Sequence, residues 1–537
     1  MMITVVLVAV LAVLLTHFLW RRKNHFQLLA RNGIPTPKYH WLLGHMEQTF
    51  YSPGKRSVVE VKHEWLQLYG KVVGFYSGAI PRVLVADLDM LKHILVKDIN
   101  NFVNRSFFGT DKKMLIFLRD QQWKDVRRIM TPVFSSAKMK KMMPLMGGCV
   151  EELMDMYETT ADSGQPIDMM EAFQCLTMDV INRCAITLDI NCIKNPKNEV
   201  LAFMRKYVSQ PMPCIFKFIV AFPMLYDLIR LLIPENKRHN ITFIEEHLTK
   251  VVKQRREQTQ ATVVDGLQLL VDAADANVDA SKTKLTDEEV VDNAFLFLLA
   301  GFETTSTALT YTSYLLALNP DIQEKIFQEV EEVVGLERAP SYEDLSKLVY
   351  TEAVALESTR MYPPVTGFIT RQATQDWQYG PYTIPAGTEV EVPVWSIHHN
   401  PELYPQPELF KPERFLPEAK KDRHTMAYLG FGGGPRNCLG LRFALMEMKL
   451  VLSSVIQRFY IKPCSHTKVP LTLVTRNVFT NPDEGVWLTL HRRTTDLPHH
   501  YQPPTQGTAL ADEQVVYMDT TLVRHPNDNA AAVVGPC

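Results

Sequence analysis

The first twenty residues, MMITVVLVAVLAVLLTHFLW, constrain this chain more than any other stretch. They carry no full charge and are nearly all apolar. At the rise of an α-helix they extend about 30 Å, the thickness of a bilayer's hydrocarbon core. In lipid such a segment must satisfy its own backbone, so it must be helical. Arg21, Arg22 and Lys23 follow at once. A cleaved signal peptide would open on a basic region and close on a small-residue cleavage site, and neither is seen. An uncleaved anchor is expected over 1–20, with the basic trio and everything after it in the cytosol. On that topology the sequons Asn104-Arg105-Ser106 and Asn240-Ile241-Thr242 stay unglycosylated.

Residues 21–45, basic and then proline-containing (GIPTPKYHWLLGH), are expected to link the anchor to the folded body. From 46 to 493 no composition break or repeat divides the chain, so one large domain is expected there. The remainder, 494–537, is polar, proline-bearing and aperiodic, and its expected state is disorder. Hydrophobic residues make up 46% of the chain and charged residues 22%, as a large core requires. The net charge of −2 supplies no field that would draw the protein to nucleic acid.

Apolar periodicity predicts helices over 146–160, 287–318, 320–334, 345–360 and 439–458. Short strand patterns fall at 72–76, 82–86, 389–394 and 486–491. The fold class is therefore mainly α with a smaller β region. Residues 212–234 are rich in apolar side chains but broken by Lys217, Arg230 and prolines. They suit either the core or a segment dipping into the membrane.

The chemistry concentrates at 431–440, FGGGPRNCLG. Of eight cysteines none forms a CxxC pair, so neither a zinc site nor a disulfide framework is indicated. Cys438 alone follows a glycine cluster and precedes a strong amphipathic helix. A thiol at a helix start meets the positive end of the dipole, which favours thiolate. With no neighbouring histidine, a lone thiolate on a glycine-lined loop suits haem iron held by one cysteine. A small buried thiol is the plainer alternative.

That loop resembles the haem-binding signature of the cytochrome P-450 superfamily, Phe-x-x-Gly-x-Arg-x-Cys-x-Gly, filled by Phe431, Gly434, Arg436, Cys438 and Gly440. Gly430 departs from it, since relatives usually carry proline there; a looser loop entrance is expected. AGFETT (300–305) is similar to the superfamily's oxygen-binding helix motif, and Glu357-Ser358-Thr359-Arg360 with Arg414 to its structural Glu-x-x-Arg network. GPRNCLGLRFALMEMK, AGFETTS, ESTRMYPP and IPAGTEV bring the sequence nearest the drug-metabolising family three and thromboxane synthase.

The resemblance implies a cytochrome P-450 fold with haem b (iron protoporphyrin IX) between two long helices. Cys438 would be the iron's axial ligand, and so its only protein ligand, with Phe431 shielding it. Arg436, Trp123, Arg127, Arg105 and Arg371 would meet the haem propionates, and Thr304 and Glu303 would deliver protons to bound oxygen. The activity implied is a monooxygenase reaction on a lipophilic substrate (steroid, fatty acid or foreign compound), with an endoperoxide isomerase or a non-catalytic haem sensor as alternatives. Electrons would come from an NADPH-dependent diflavin reductase, with cytochrome b5 as a further donor, docking on Lys124, Arg128, Lys138, Lys140, Lys141 and Arg442. The expected location is the endoplasmic reticulum membrane, spanned once, with the catalytic domain cytosolic. Phe107, Phe108, Phe295, Leu299, Ala300, Val365, Phe368 and Phe479 are the expected apolar lining.

Overall fold

A computed structural model describes residues 2–50, 56–105, 112–186, 190–210, 214–226, 228, 241–257, 265–275, 284–476 and 478–493. The tail 494–537, Phe107, Phe108 and the sequon residues Ser106 and Asn240 lie outside the described residues.

The apolar N-terminus is one helix, Met2–His25, the only described helix long and apolar enough to cross a membrane. It continues through the basic trio, so it ends five residues later than the expected boundary at 20. Arg22 explains why: it is buried, donates to the carbonyls of Leu42 and Ala221, and lies over the rings of Phe26 and Phe222 at 4.8 and 5.8 Å. Nor is 21–45 a free link. Phe26, Leu29 and Ile34 are buried in the cluster around the first sheet.

A helix of 32 residues, Asp287–Leu318, runs through the core. It starts at a capping box, in which Thr286 Oγ1 accepts from Glu289 N–H (3.2 Å) and Glu289 Oε2 from Thr286 N–H (2.9 Å). It ends before Pro320, which opens the next helix, Pro320–Val333. Its apolar face is nearly continuous, as a helix buried on all sides requires. Helices Met169–Ile181, Val349–Met361, Leu441–Arg458 and Thr242–Glu257 pack around it. The predicted helix 146–160 is the second half of Ser136–Ser163, whose earlier turns include Pro144. The predicted helix 345–360 starts four residues later, at Val349, because Tyr342–Leu345 forms a separate capped turn.

The main sheet orders its strands Val72–Ser77, Ile80–Val85, Glu389–Glu391, Thr370–Gln372. The middle two run parallel, with Arg82 opposite Glu389 and Leu84 opposite Glu391. The predicted strand 389–394 stops at Glu391, since Pro393 has no N–H for a ladder and Val394 begins a short helix. A hairpin of Leu473–Arg476 and Phe479–Pro482 touches the loop after Val349–Met361 through a bridge between Val365 and Phe479.

Of 212–234, the described part forms helix Cys214–Ala221 and a following turn on the surface. Ile219 and Val220 are buried, whereas Ile215, Phe218, Met224 and Leu228 are exposed. The helix docks on the turn of the first hairpin, where Ala79 N–H donates to Val220 O at 3.0 Å.

Candidate active site

The loop before Leu441–Arg458 is held from three sides. Leu429 N–H donates to His398 Nε2 (2.9 Å), and Cys438 N–H to Phe431 O (2.8 Å). Arg127 donates to both Asn437 O (3.1 Å) and Asn437 Oδ1 (2.8 Å). Gly434 has φ +69, and a Cβ there would stand 1.9 Å from Leu95 O. The glycine is thus required by protein packing against Leu95. Gly430 does not leave the loop loose, because the space a side chain would take holds the Tyr428 hydroxyl, 2.6 Å from an ideal Cβ.

Cys149, Cys175, Cys184 and Cys192 are buried, and burial pushes their thiols up. Cys438 is exposed, yet it lies inside the protein: burial pushes its thiol up, opposed by the Gly440 N–H and by the Arg127 charge. The helix begins only at Leu441, so its dipole does not by itself ionise the free thiol. Ionisation would come with metal binding, which removes the proton from a coordinating thiol. Cys438 belongs to no cluster of three or more potential ligand residues among those described. Among the described residues the site offers a metal one thiolate, which suits a metal that brings its other ligands in a macrocycle.

Four arginines converge beside it. Arg436 stacks over Trp123 at 4.4 Å and donates to Leu118 O. Arg105 lies over the Phe368 ring at 4.2 Å, and Arg371 donates to its neighbour Thr370 O (2.7 Å). None of Arg105, Arg127, Arg371 and Arg436 forms an ion pair with a described carboxylate, and buried nitrogens of Arg105, Arg371 and Arg436 lack any acceptor. Burial, and then the neighbouring guanidinium groups, lower Arg371 and Arg436 to about 9 and push Arg105 well down. Buried cations this close need an anion. A thiol ligand beside donors for two carboxylates fits iron protoporphyrin. Arg127 is the exception among the expected propionate partners, because its guanidinium is spent on Asn437.

The long helix carries the other expected site residues. Within its buried middle, exposure returns only at Leu299, Ala300, Gly301 and Thr304. Thr304 Oγ1 donates back to Ala300 O (2.7 Å). Glu303 turns elsewhere: it is 1% exposed and accepts from Gln174 Nε2 (3.1 Å) and Asn481 Nδ2 (2.7 Å). Gln174 Oε1 accepts in turn from Arg205 Nε (2.9 Å). Burial raises the Glu303 carboxyl, and Asn481, Gln174 and Arg205 moderate the rise. The expected Glu303–Thr304 pair is therefore adjacent in sequence but unbonded, since consecutive helical residues do not face each other. Gln174, Asn481 and Arg205 carry no motif, and nothing in the sequence marks them. Of the expected lining, Phe295 is instead core, packed on Tyr207.

Beneath the cysteine loop, Glu357 and Arg360 are fully buried and joined by a bidentate pair (2.7 and 2.9 Å), and Arg414 adds a third bond at 3.2 Å. Arg360 Nη1 donates to His398 O (2.8 Å), so this network reaches the loop through His398. On the outer surface of the same side, Lys124, Arg128, Lys140, Lys141 and Arg442 are exposed, with Lys138 half-buried among them.

The sequence pattern of the family "Cytochrome P450" matches residues 34–489. The chain belongs to the cytochrome P450 family. Its curated relatives include cytochrome P450 3A31 of Mesocricetus auratus, 32% identical over 90% of this chain and 96% of the relative. Thromboxane-A synthase of Sus scrofa is 33% identical over 91% and 96%, and cytochrome P450 3A5 of Homo sapiens 32% over 92% and 97%. As a P450 this chain is a monooxygenase enzyme that binds haem b and works with a redox partner on a small molecule.

Proposed function

We propose that this P450 is anchored in the endoplasmic reticulum membrane by Met2–His25, with its catalytic domain in the cytosol, and oxidises a lipophilic substrate with electrons from an NADPH-dependent diflavin reductase. One atom of dioxygen enters a C–H bond of the substrate. The other leaves as water, taking two electrons and two protons. The observation that carries this reading is the accessible Cys438 thiol beside buried arginines that have no counter-ion among the described residues. Haem b, when bound, supplies the iron at which oxygen is activated. Cys438 would ligate it, Phe431 would cover that bond, and Arg105, Arg371 and Arg436 would hold its carboxylates, with Trp123 supporting Arg436 from below.

Thr304 would hold a proton at Oγ1 on the oxygen side, and Glu303, tied to Gln174 and Asn481, would recharge it through water. The exposed cations Lys124, Arg128, Lys140, Lys141 and Arg442, together with Lys138, suit the acidic surface of a reductase, or of cytochrome b5. The test is purified protein with reductase, NADPH and isotope-labelled dioxygen over a panel of lipophiles. One labelled atom per product is expected, lost in Cys438→Ser. A second reading, an endoperoxide isomerase needing no reductase, is favoured by the thromboxane-A synthase relative and by the separation of Glu303 from Thr304. Endoperoxide turnover without NADPH, and no labelled product with it, would establish that reading instead.

A further inference from the structure

The arginines beside Cys438 are tied together by a polar clasp whose members adjoin them in the chain. Asn104 precedes Arg105, Gln372 follows Arg371, and Asp120 opens helix Asp120–Met130 one turn before Trp123. Asn104 and Asp120 bond reciprocally: Asn104 Nδ2 donates to Asp120 Oδ1 (2.8 Å), and Asp120 N–H donates to Asn104 Oδ1 (2.9 Å). Gln372 N–H donates to Asn104 O (2.8 Å). Arg119 closes the ring, giving Nη1 to Arg105 O (3.3 Å) and Nη2 to Gln372 Oε1 (2.9 Å). Its own carbonyl accepts from Trp123 N–H (3.1 Å). Asn104, which the sequence marks only as a sequon residue, is 1% exposed.

Asp120 stands at φ +44, in the left-handed region that side chains rarely adopt. Entering a helix does not require this, since the long helix starts from extended backbone at Thr286 (φ −82, ψ 161). Strain of that kind persists where the surrounding contacts over-determine it. Here they set the direction in which the helix leaves the Arg105 segment, and with it the place where Trp123 meets Arg436. The Asp120 charge reaches the same arginine: burial and then Arg105, Arg127 and Arg119 lower the Arg436 guanidinium, and Asp120 opposes them.

We propose that Asp120 is a positioning residue for cofactor retention, its pair with Asn104 fixing Arg105 against the helix that carries Trp123, so that the donors for the haem carboxylates stand ready before haem binds. Donors held in place in advance lose less freedom on binding, and the complex is tighter for it. The inference rests on the assignment of Arg105 to those carboxylates and adds a residue that acts through Arg105.

The test is haem transfer from the haem-loaded, full-length protein to a scavenger protein, for Asp120→Ala, Asp120→Gly and Asp120→Asn, each with Arg105 and with Arg105→Leu. Asp120 is exposed, so these variants leave the core untouched. Asp120→Ala should release haem about tenfold faster, ~1.4 kcal/mol in the barrier. Asp120→Gly relieves the backbone but deletes the pair, and should release haem as Asp120→Ala does. Asp120→Asn keeps Oδ1 and accepts the left-handed backbone, so it should retain haem as wild type does. With Arg105→Leu all three should match their parent, because the pair has nothing left to position. Equal acceleration in both backgrounds would make the pair a general support of the fold and overturn the assignment. Wild-type retention by Asp120→Gly would overturn it too. Release from Arg105→Leu no faster than from wild type would remove Arg105 from the cofactor site and the assignment with it, while the reduced carbonyl spectrum still reports ligation by Cys438.

Discussion

Asn481, on the hairpin near the end of the domain, donates a 2.7 Å hydrogen bond to Glu303 at the centre of the long helix, 178 residues earlier in the chain. With Gln174 it satisfies both oxygens of a carboxyl group that is 1% exposed. Removing one donor leaves a buried carboxyl oxygen unsatisfied, so Asn481→Ala should cost about 1–3 kcal/mol in chemical denaturation. It should also raise NADPH consumed per product if Glu303 feeds protons. Unchanged coupling in Asn481→Ala and in Glu303→Gln would exclude Glu303 from proton delivery.

The same carboxyl makes stability depend on pH. Burial raises its folded pKa above the unfolded value, so the native state binds the extra proton. Its contribution is then fully present below the usual glutamate pKa of about 4.3 and is lost as pH rises through the folded value. Thermal melts of Glu303→Gln and wild type should diverge accordingly, the variant gaining relative stability as pH increases. Parallel curves would show that Glu303 titrates normally.

Arg371 and Arg105 are buried cations without carboxylate partners among the described residues, a burden to the protein alone and an asset once an anionic cofactor is bound. Arg371→Leu should raise the melting temperature of haem-free protein. It should also speed haem loss to a scavenger protein by about tenfold, ~1.4 kcal/mol. A variant that loses haem no faster would remove Arg371 from the cofactor site.

Two glycines of the cysteine loop should respond differently. Gly434→Ala places a left-handed alanine, costing roughly 1–2 kcal/mol in itself, against the Leu95 carbonyl at 1.9 Å. Gly430→Ala meets only the side chain of Tyr428. Haem incorporation, read from the reduced carbonyl spectrum, should collapse in the first and survive in the second.

Arg360 and Glu357 are both 0% exposed, and Arg360 also anchors His398, which receives Leu429 N–H at the start of the loop. Arg360→Lys keeps the charge but loses the fork. About 1–3 kcal/mol of stability should go with the buried hydrogen bonds left unmade, seen as an earlier urea midpoint and poor haem retention. Near-native stability would mean that the pair is dispensable.

Local physics made much of this legible in advance. The helix 287–318 was readable to the residue because Thr286 and Glu289 cap it and Pro320 follows it. The cysteine loop was readable because its residue types stand at fixed spacing. The reason for Gly434 was not: it makes room for the Leu95 carbonyl, where the sequence suggested a macrocycle. The anchor's end was missed because Arg22 finds its partners, Leu42 and Ala221, only after the chain folds back.

By itself, then, the sequence determined the apolar span, the periods of the main helices and the order of residue types around Cys438. Each is set by neighbours within a few turns of backbone. Only the tertiary structure decided that Glu303 turns from Thr304 to Gln174 and Asn481, and that Arg127 holds Asn437. Those relations join residues far apart in the chain. Hydrogen bonds and ion pairs of that kind follow from how helices and sheet pack around a shared core, and no local spacing encodes them.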